Sequence, residues 1–262
     1  MNAFSRAPPL FKVTSTMEKL YEGKAKAVYT TDTTGVLIQR FKDSATAFNA
    51  EKKAEFAGKG ELNNRIASMV FRYLESKGVS SHYLDTVNKR DMRIRQVEII
   101  ALEVVTRNIV AGSLAKRLGL PEGTVLESPI VEFYYKDDAL GDPLFTEDHI
   151  RIMKLAEPED LAELRRQALL VNEALIELWT KCDLKLVDFK LEFGRPATGE
   201  ILLADEISPD TQRLWTADGR KMDKDVFRRD LGDLVGTYQE VYDRLLKNFP
   251  ELDLGELAEC EV

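Results

Sequence analysis

Apolar positions along the chain follow two rhythms, and the places where one replaces the other mark its elements. Residues 20–41 alternate in short runs around two turns, Gly23-Lys24-Ala25-Lys26 and residues 32–35, which predicts three strands. Residues 48–60 are polar, with lysines and glycines, and predict a loop. Leu62, Ile66, Met69, Val70, Tyr73 and Leu74 then recur at helical spacing, with Gly78 as a C-terminal stop. Strand signals return over 82–105, strongest in the β-branched run 97–105. Leu161, Leu164, Ala168, Val171, Leu175, Leu178 and Cys182 are spaced by alternating threes and fours, the clearest helix in the chain. A last helix is predicted over 224–249 from Phe227, Leu231, Leu234, Val235, Tyr238, Val241 and Leu245.

Between the two long helices lies a charged hairpin. In residues 184–193, Val187, Phe189, Leu191 and Phe193 alternate with Asp188, Lys190 and Glu192. A strand sends successive side chains to opposite faces, so one face is apolar and the other carries acid, base, acid. A connection with Pro and Gly (194–199) leads to a second run that breaks into Asp205, Glu206, Ser208, Asp210 and Arg213. Folded back, the hairpin brings Glu192 and Asp205 near one another beside Lys190. A solvated edge strand would also alternate charges, but here the other face and the acidic continuation favour a magnesium–polyphosphate role. Magnesium takes one or two carboxylates and completes its shell with phosphate and water.

The pattern predicts an α+β fold in two lobes with mainly antiparallel sheets and flanking helices. The expected division is an N-terminal extension (1–16), a β-rich lobe (17–95) and an α+β lobe (96–262). The first 16 residues lack the apolar core of a signal peptide, and Met17 could serve as an internal start. The acidic tail from residue 251 reads as a solvated end.

Composition narrows the chemistry. The 262 residues are 44% hydrophobic and 31% charged, ordinary for a globular protein, with net charge −8. That balance argues against a nucleic-acid or membrane-surface partner, so an anionic substrate needs a local basic pocket. No apolar run reaches the roughly 20 residues of a membrane span. Two cysteines and two histidines leave little for a disulfide framework, a zinc site or a Ser-His-Asp triad, and fit a reducing compartment such as the cytoplasm.

Two further stretches suggest anion binding. The Gly23–Lys26 turn can lay backbone N–H groups and lysines over a triphosphate, though a basic hairpin tip reads the same way. Thr106-Arg107-Asn108 and Gly112-Ser113 precede a short helix at 114–118, with Ser113 as a natural N-cap and Arg107 as a bidentate fork.

In order along residues 20–245, several motifs together resemble SAICAR synthetases (phosphoribosylaminoimidazole-succinocarboxamide synthases). They are the Gly-Lys-Ala-Lys turn, Val105-Thr-Arg-Asn108, Ala111-Gly-Ser-Leu-Ala-Lys-Arg-Leu-Gly119, Val187-Asp-Phe-Lys-Leu-Glu-Phe-Gly194, Asp205-Glu-Ile-Ser-Pro-Asp210, Arg213-Leu-Trp215 and Lys221-Met-Asp-Lys-Asp225. The family often has Gly at the position of Ala204. The resemblance implies a kinase-like N-terminal lobe and an ATP-dependent ligase of purine biosynthesis that joins L-aspartate to the carboxylate of an aminoimidazole ribonucleotide (CAIR).

Carried onto this chain, the resemblance assigns Lys24, Ala25, Lys26 and Lys136 to ATP, and Glu192 and Asp205 to Mg2+. Arg107, Ser113 and Arg213 would grip the ribonucleotide, with Asp142 and Asp210 as further substrate contacts. Asp188 and Lys190 would face the reacting carboxylate, Asp188 taking the amine proton or orienting Lys190. A homodimer is the family expectation. The rival readings are a small-molecule kinase on the same scaffold and a nucleotide-sensing module without turnover.

Overall fold

The computed structural model describes residues 17–47 and 51–260. The expectation for the extension at 1–16 therefore lies outside the described residues. The chain opens with strands β1 (Lys19–Glu22), β2 (Lys26–Thr30) and β3 (Val36–Phe41), then a small hairpin of β4 (Ser44–Ala47) and β5 (Lys52–Glu55). Helix α1 (Lys59–Ser76) and strands β6 (Tyr83–Thr86) and β7 (Asp91–Arg95) follow. These make an antiparallel five-stranded sheet in the order β1-β2-β3-β7-β6.

The second half contains β8 (Glu98–Ile109), α2 (Gly112–Leu118), β9 (Val125–Tyr135), β10 (Leu144–Phe145), α3 (Glu147–Ile152) and α4 (Pro158–Lys181). It continues with β11 (Lys185–Arg195), β12 (Leu202–Ala204), β13 (Gln212–Trp215), α5 (Asp225–Arg228) and α6 (Leu234–Asn248). Its sheet runs β10-β9-β8-β11-β12, with β13 also on β11.

The apolar stripe read from the sequence is the buried face of α4: Leu164, Ala168, Val171, Leu175 and Leu178 are all 0% exposed. Pro158 occupies the first turn, and the Glu157 N–H donates to the Asp160 carboxylate, so the helix starts sharply. Trp179 at the other end is fully buried and donates Nε1–H to Gln212 Oε1 at 2.7 Å, tying α4 to β13. One apolar cluster runs from Phe41, Met92 and Ile94 of the first sheet through α1 and α4 to Leu102, Val104, Leu191 and Phe193 of the second.

A backbone joint connects the sheets. Ser81 and Leu203 form a parallel bridge, the His82 N–H donates to the Leu203 carbonyl at 2.8 Å, and the Leu203 N–H donates to that of Ser80 at 3.1 Å.

Several local expectations change. The segment taken as a loop contains β5, whose Lys52-Lys-Ala-Glu55 carries no strand signature and is a strand because β4 pairs with it. The long C-terminal helix is two, because Asp230 (φ 55) and Gly232 (φ 133) are left-handed between α5 and α6. The Asp233 side chain then accepts the Gly236 N–H at 3.0 Å and starts α6. The acidic tail is not simply solvated: Leu252 is buried, Arg72 donates to its carbonyl, and the Lys89 N–H reaches the Ala258 carbonyl.

The charged strand β11 is central, not an edge. It pairs with β8 on one side and with β12 and β13 on the other. Gly194 sits beyond an irregularity in the β8 pairing, where an added Cβ would lie 2.6 Å from Val97 Cγ2 and 3.0 Å from the Glu98 carbonyl oxygen. Gly194→Ala is expected to cost about 1–3 kcal/mol by forcing these strands apart, read as a lower urea midpoint.

Candidate functional site

The two sheets face each other across a cleft of about 1580 Å³. Every residue singled out from the sequence as a site candidate lines it: Lys24, Ala25, Lys26, Arg107, Ser113, Lys136, Asp142, Asp188, Lys190, Glu192, Asp205, Asp210 and Arg213. Ten of them fall into three clusters, and Lys24, Ala25 and Asp142 sit at the rim.

The first is built on strand register. Glu192 of β11 stands opposite Glu103 of β8 and opposite Ala204 of β12, which puts Asp205 one residue further along. Like charges directly across a ladder repel, so this pairing needs a cation. Lys190 Nζ supplies it, donating at 2.9 Å to both Glu103 Oε1 and Glu192 Oε1. Lys136, just after β9, approaches Glu192 Oε1 at 3.5 Å. Lys26 of β2 crosses from the other sheet to Asp205 Oδ1 and, at 2.9 Å, to Glu206 Oε1.

Three lysines thus interleave with four carboxylates. Burial alone would lower the Lys190 pKa, but Glu192, Glu103 and Asp205 outweigh it and hold the ammonium well above its usual range. Burial would likewise raise the Asp205 carboxyl, yet Lys26 and Lys190 keep it well below the ordinary carboxylate range.

Asp205 itself has φ 63, a left-handed backbone that few non-glycine residues adopt. Its carbonyl oxygen accepts from Gln39 Nε2 at 3.2 Å and faces His82 Nε2 at 3.1 Å. Burial lowers the His82 pKa to about 4, so the ring is neutral at pH 7.

The second cluster is an arginine pair around Asp188. Asp188 lies opposite Arg107 on one side and Arg213 on the other. Its Oδ2 accepts from Arg107 Nη1 and from Arg213 Nη1, both at 2.9 Å. Arg107 also donates to Glu132 Oε2 at 2.7 Å, Ser113 Oγ at 3.2 Å and Tyr134 Oη at 3.1 Å. Arg213 Nε donates to Asp225 Oδ2 at 3.1 Å.

Asp188 therefore spaces two guanidinium groups and forms no hydrogen bond or ion pair with Lys190, whose partners are Glu103 and Glu192. The expected orienting of Lys190 by Asp188 gives way to Glu103 and Glu192. Ser113 is not the N-cap of α2 either; Ala111 is, and the Ser113 hydroxyl receives Arg107. Gly112 (φ 53) leaves room for the other arginine, since a Cβ there would lie 2.7 Å from Arg213 Nη2.

The third cluster centres on Asp210, whose oxygens accept from Lys59 Nζ, from Asn63 Nδ2 at 3.0 Å and from Tyr238 Oη at 2.6 Å. Lys59 is 0% exposed on the buried face of α1. Lys224 lines the cleft nearby and forms no ion pair among the described residues; burial lowers its pKa, partly offset by Asp210. The remaining candidates sit at the rim. Lys24 Nζ meets Asp138 Oδ1 at 2.7 Å, the Ala25 carbonyl accepts the Lys42 N–H, and Asp142 Oδ1 accepts the Asp137 N–H.

Glu103, Glu132 and Lys59 were not singled out from the sequence, and Lys224 was marked only as part of the Lys221–Asp225 motif, with no role. Glu103 alternates with apolar neighbours inside a strand, which is a signal, but its partner depends on register. Lys59 stands just ahead of a helix stripe and carries none.

Together the clusters define a class: a charged cleft between two sheets, with a lysine–carboxylate cluster beside an arginine pair, of the kind found in enzymes that act on anionic substrates. The family model described as SAICAR synthetase matches residues 19–245, and the chain belongs to that family. The phosphoribosylaminoimidazole-succinocarboxamide synthase of Bacillus subtilis (strain 168) is 56% identical over 229 residues, covering 87% of this chain and 95% of that one. The crystal structure of the Ehrlichia chaffeensis protein of the same name superposes with TM-score 0.85 at 43% identity, over 87% of this chain and 98% of that one. A SAICAR synthetase (Type-2) solved in complex with ADP gives TM-score 0.84 at 45% identity, over 92% and 99%.

One titration follows from the arginine cluster. Burial, reinforced by the neighbouring Asp225, pushes the Asp223 carboxyl from an ordinary 3.8 up to about 7, against the Asp225 and Leu214 N–H groups and Arg213. A raised acid pKa means that the folded protein binds the proton more tightly, so this contribution to stability is complete below pH 3.8 and fades as pH rises through about 7. Carbon-detected NMR of the Asp223 carboxyl should show a midpoint near 7.

Proposed function

We infer that this cleft carries out the family's reaction, the ATP-dependent joining of L-aspartate to the carboxylate of CAIR to give SAICAR, ADP and phosphate. The observation that carries the reading is the meeting of the lysine–carboxylate cluster and the Arg107–Asp188–Arg213 pair on one strand, β11. A carboxylate resists attack by an amine because it is anionic and would have to expel oxide. Transfer of the γ-phosphoryl group breaks the bond to ADP and forms an acyl phosphate. The aspartate nitrogen then bonds to the acyl carbon, phosphate leaves with the carbon–oxygen bond electrons, and the nitrogen loses a proton. Such transfer is positioning and charge neutralisation, which suits lysines and arginines.

In this reading Lys24, Lys26, Lys136 and the backbone at Ala25 hold the phosphates of ATP. Arg107, Ser113 and Arg213 hold the ribonucleotide phosphate, with Asp188 fixing the spacing of the two arginines. Asp210 and Asp142 bear on substrate from the cleft wall and rim. Lys224, a cation with no ion pair among the described residues, is available to a substrate carboxylate. Lys190, held by Glu103 and Glu192 and standing on β11 between Asp188 and Glu192, is assigned to the reacting carboxylate.

The donor set also fits Mg2+. Glu192 and Asp205 are neighbouring all-oxygen ligands, and the lysine hydrogen bonds use Glu192 Oε1 and Asp205 Oδ1, leaving the second oxygen of each for a metal. When bound, Mg2+ would neutralise charge on the transferring phosphate. A cytoplasmic homodimer acting on small molecules, with no nucleic-acid or membrane partner, completes the proposal. The alternative of a small-molecule kinase gives no account of the arginine pair.

A coupled ADP assay tests the reaction. Full turnover should require both CAIR and aspartate, with phosphate released in step with ADP; ADP formed with one acceptor and no phosphate would establish a kinase. For Lys190→Met we expect a chemical step slowed at least about 100-fold with ADP affinity near wild type, read by single-turnover kinetics and calorimetry. Lost ADP affinity would move Lys190 to the nucleotide site.

A further inference from the structure

The joint between the sheets ends on Asp205, and this has a consequence for how that residue is held. Asp205 follows β12 directly and turns with φ 63. A left-handed non-glycine residue persists only where its surroundings fix it. Its carbonyl oxygen is met by two side-chain nitrogens, Gln39 Nε2 at 3.2 Å and His82 Nε2 at 3.1 Å. Neither belongs to the sheet of β12: Gln39 lies on β3, and His82 just precedes β6.

Both side chains are buried, at 3% and 2% exposure. His82 is anchored by its own backbone, its N–H on the Leu203 carbonyl at 2.8 Å and its carbonyl taking the Arg95 N–H at 2.7 Å. To donate to a carbonyl, the ring must carry its proton on Nε2. One donor would satisfy a buried carbonyl; two from separate elements fix its direction as well.

We propose that Gln39 and His82 are positioning residues for Asp205, reaching across the lobe joint to hold its carbonyl and so keep the bend that sets its carboxylate beside Glu192. The proposal rests on the reading of Glu192 and Asp205 as the metal pair. It makes metal affinity depend on how the first sheet seats on the second.

The test uses full-length protein with Mn2+ as the probe, its binding in the presence of ADP read by electron paramagnetic resonance. CAIR affinity without nucleotide is read in parallel by calorimetry. Gln39→Leu and His82→Phe should each weaken Mn2+ binding about tenfold or more, leave CAIR affinity within about twofold, and His82→Gln should restore Mn2+ binding to within about threefold. Gln39→Met, closer in volume, serves if Gln39→Leu does not fold. Unchanged Mn2+ affinity in the Gln39 variants and in His82→Phe overturns the proposal. So does an equal loss of Mn2+ and CAIR binding in every variant, which would mark a general structural defect. If the wild-type protein binds no Mn2+ with ADP, the metal-pair reading itself falls, and that outcome is visible before any variant is made.

Discussion

The site depends on one electrostatic constraint: Glu103 and Glu192 face each other across adjacent central strands, with Asp205 and Glu206 close by. Four carboxylates cannot share the wall of a cleft without compensation, because each loses water and repels the others. Lys190, Lys136 and Lys26 provide it, and each comes from a different strand or strand end. Lys26 belongs to the opposite sheet, so the same interactions that make the acids tolerable also draw the lobes together. In the proposed reaction, phosphate oxygens of ATP would take over these ammonium groups.

Four residues before Glu192 on β11 the same device is inverted. There one acid, Asp188, serves two arginines, and Glu132 and Asp225 hold their outer edges. Held from both sides by carboxylates, the two guanidinium forks keep a fixed geometry before any ligand arrives. The strand thus carries the lysine–carboxylate cluster toward one end and the arginine pair toward the other. In the proposed reaction, a ligand spanning them would bring its reacting carboxylate to the boundary, where Lys190 stands. The apolar residues of the strand, Val187, Phe189, Leu191 and Phe193, are all buried and hold this charged face rigid from behind.

Much of this was legible in residue order. The stripe of α4, the alternation of β11 and the stop after α1 are local patterns, repeated often enough that packing had only to accept them. The motifs around Lys24, Arg107, Lys190 and Asp205 were equally visible, because a phosphate-handling surface concentrates charge where a strand would otherwise be apolar. The failures share a cause. Lys52–Glu55 is a strand only because β4 supplies a partner, and the final helix breaks where Asp230 and Gly232 turn left-handed, a choice of backbone rather than of hydrophobicity. Ser113 has a capping residue's chemistry, but Arg107 claimed its hydroxyl.

The sequence by itself determined the long helix α4 and the charged strand β11, and to which family the chain belongs. Tertiary structure decided the partners. Register set Glu103 against Glu192 and placed Asp188 between two arginines, and the seating of one sheet on the other brought Lys26, Gln39 and His82 to Asp205. The reason is range: helical and strand periodicity is written within a few residues, whereas an ion pair between residues 26 and 205 exists only after the whole chain between them has folded.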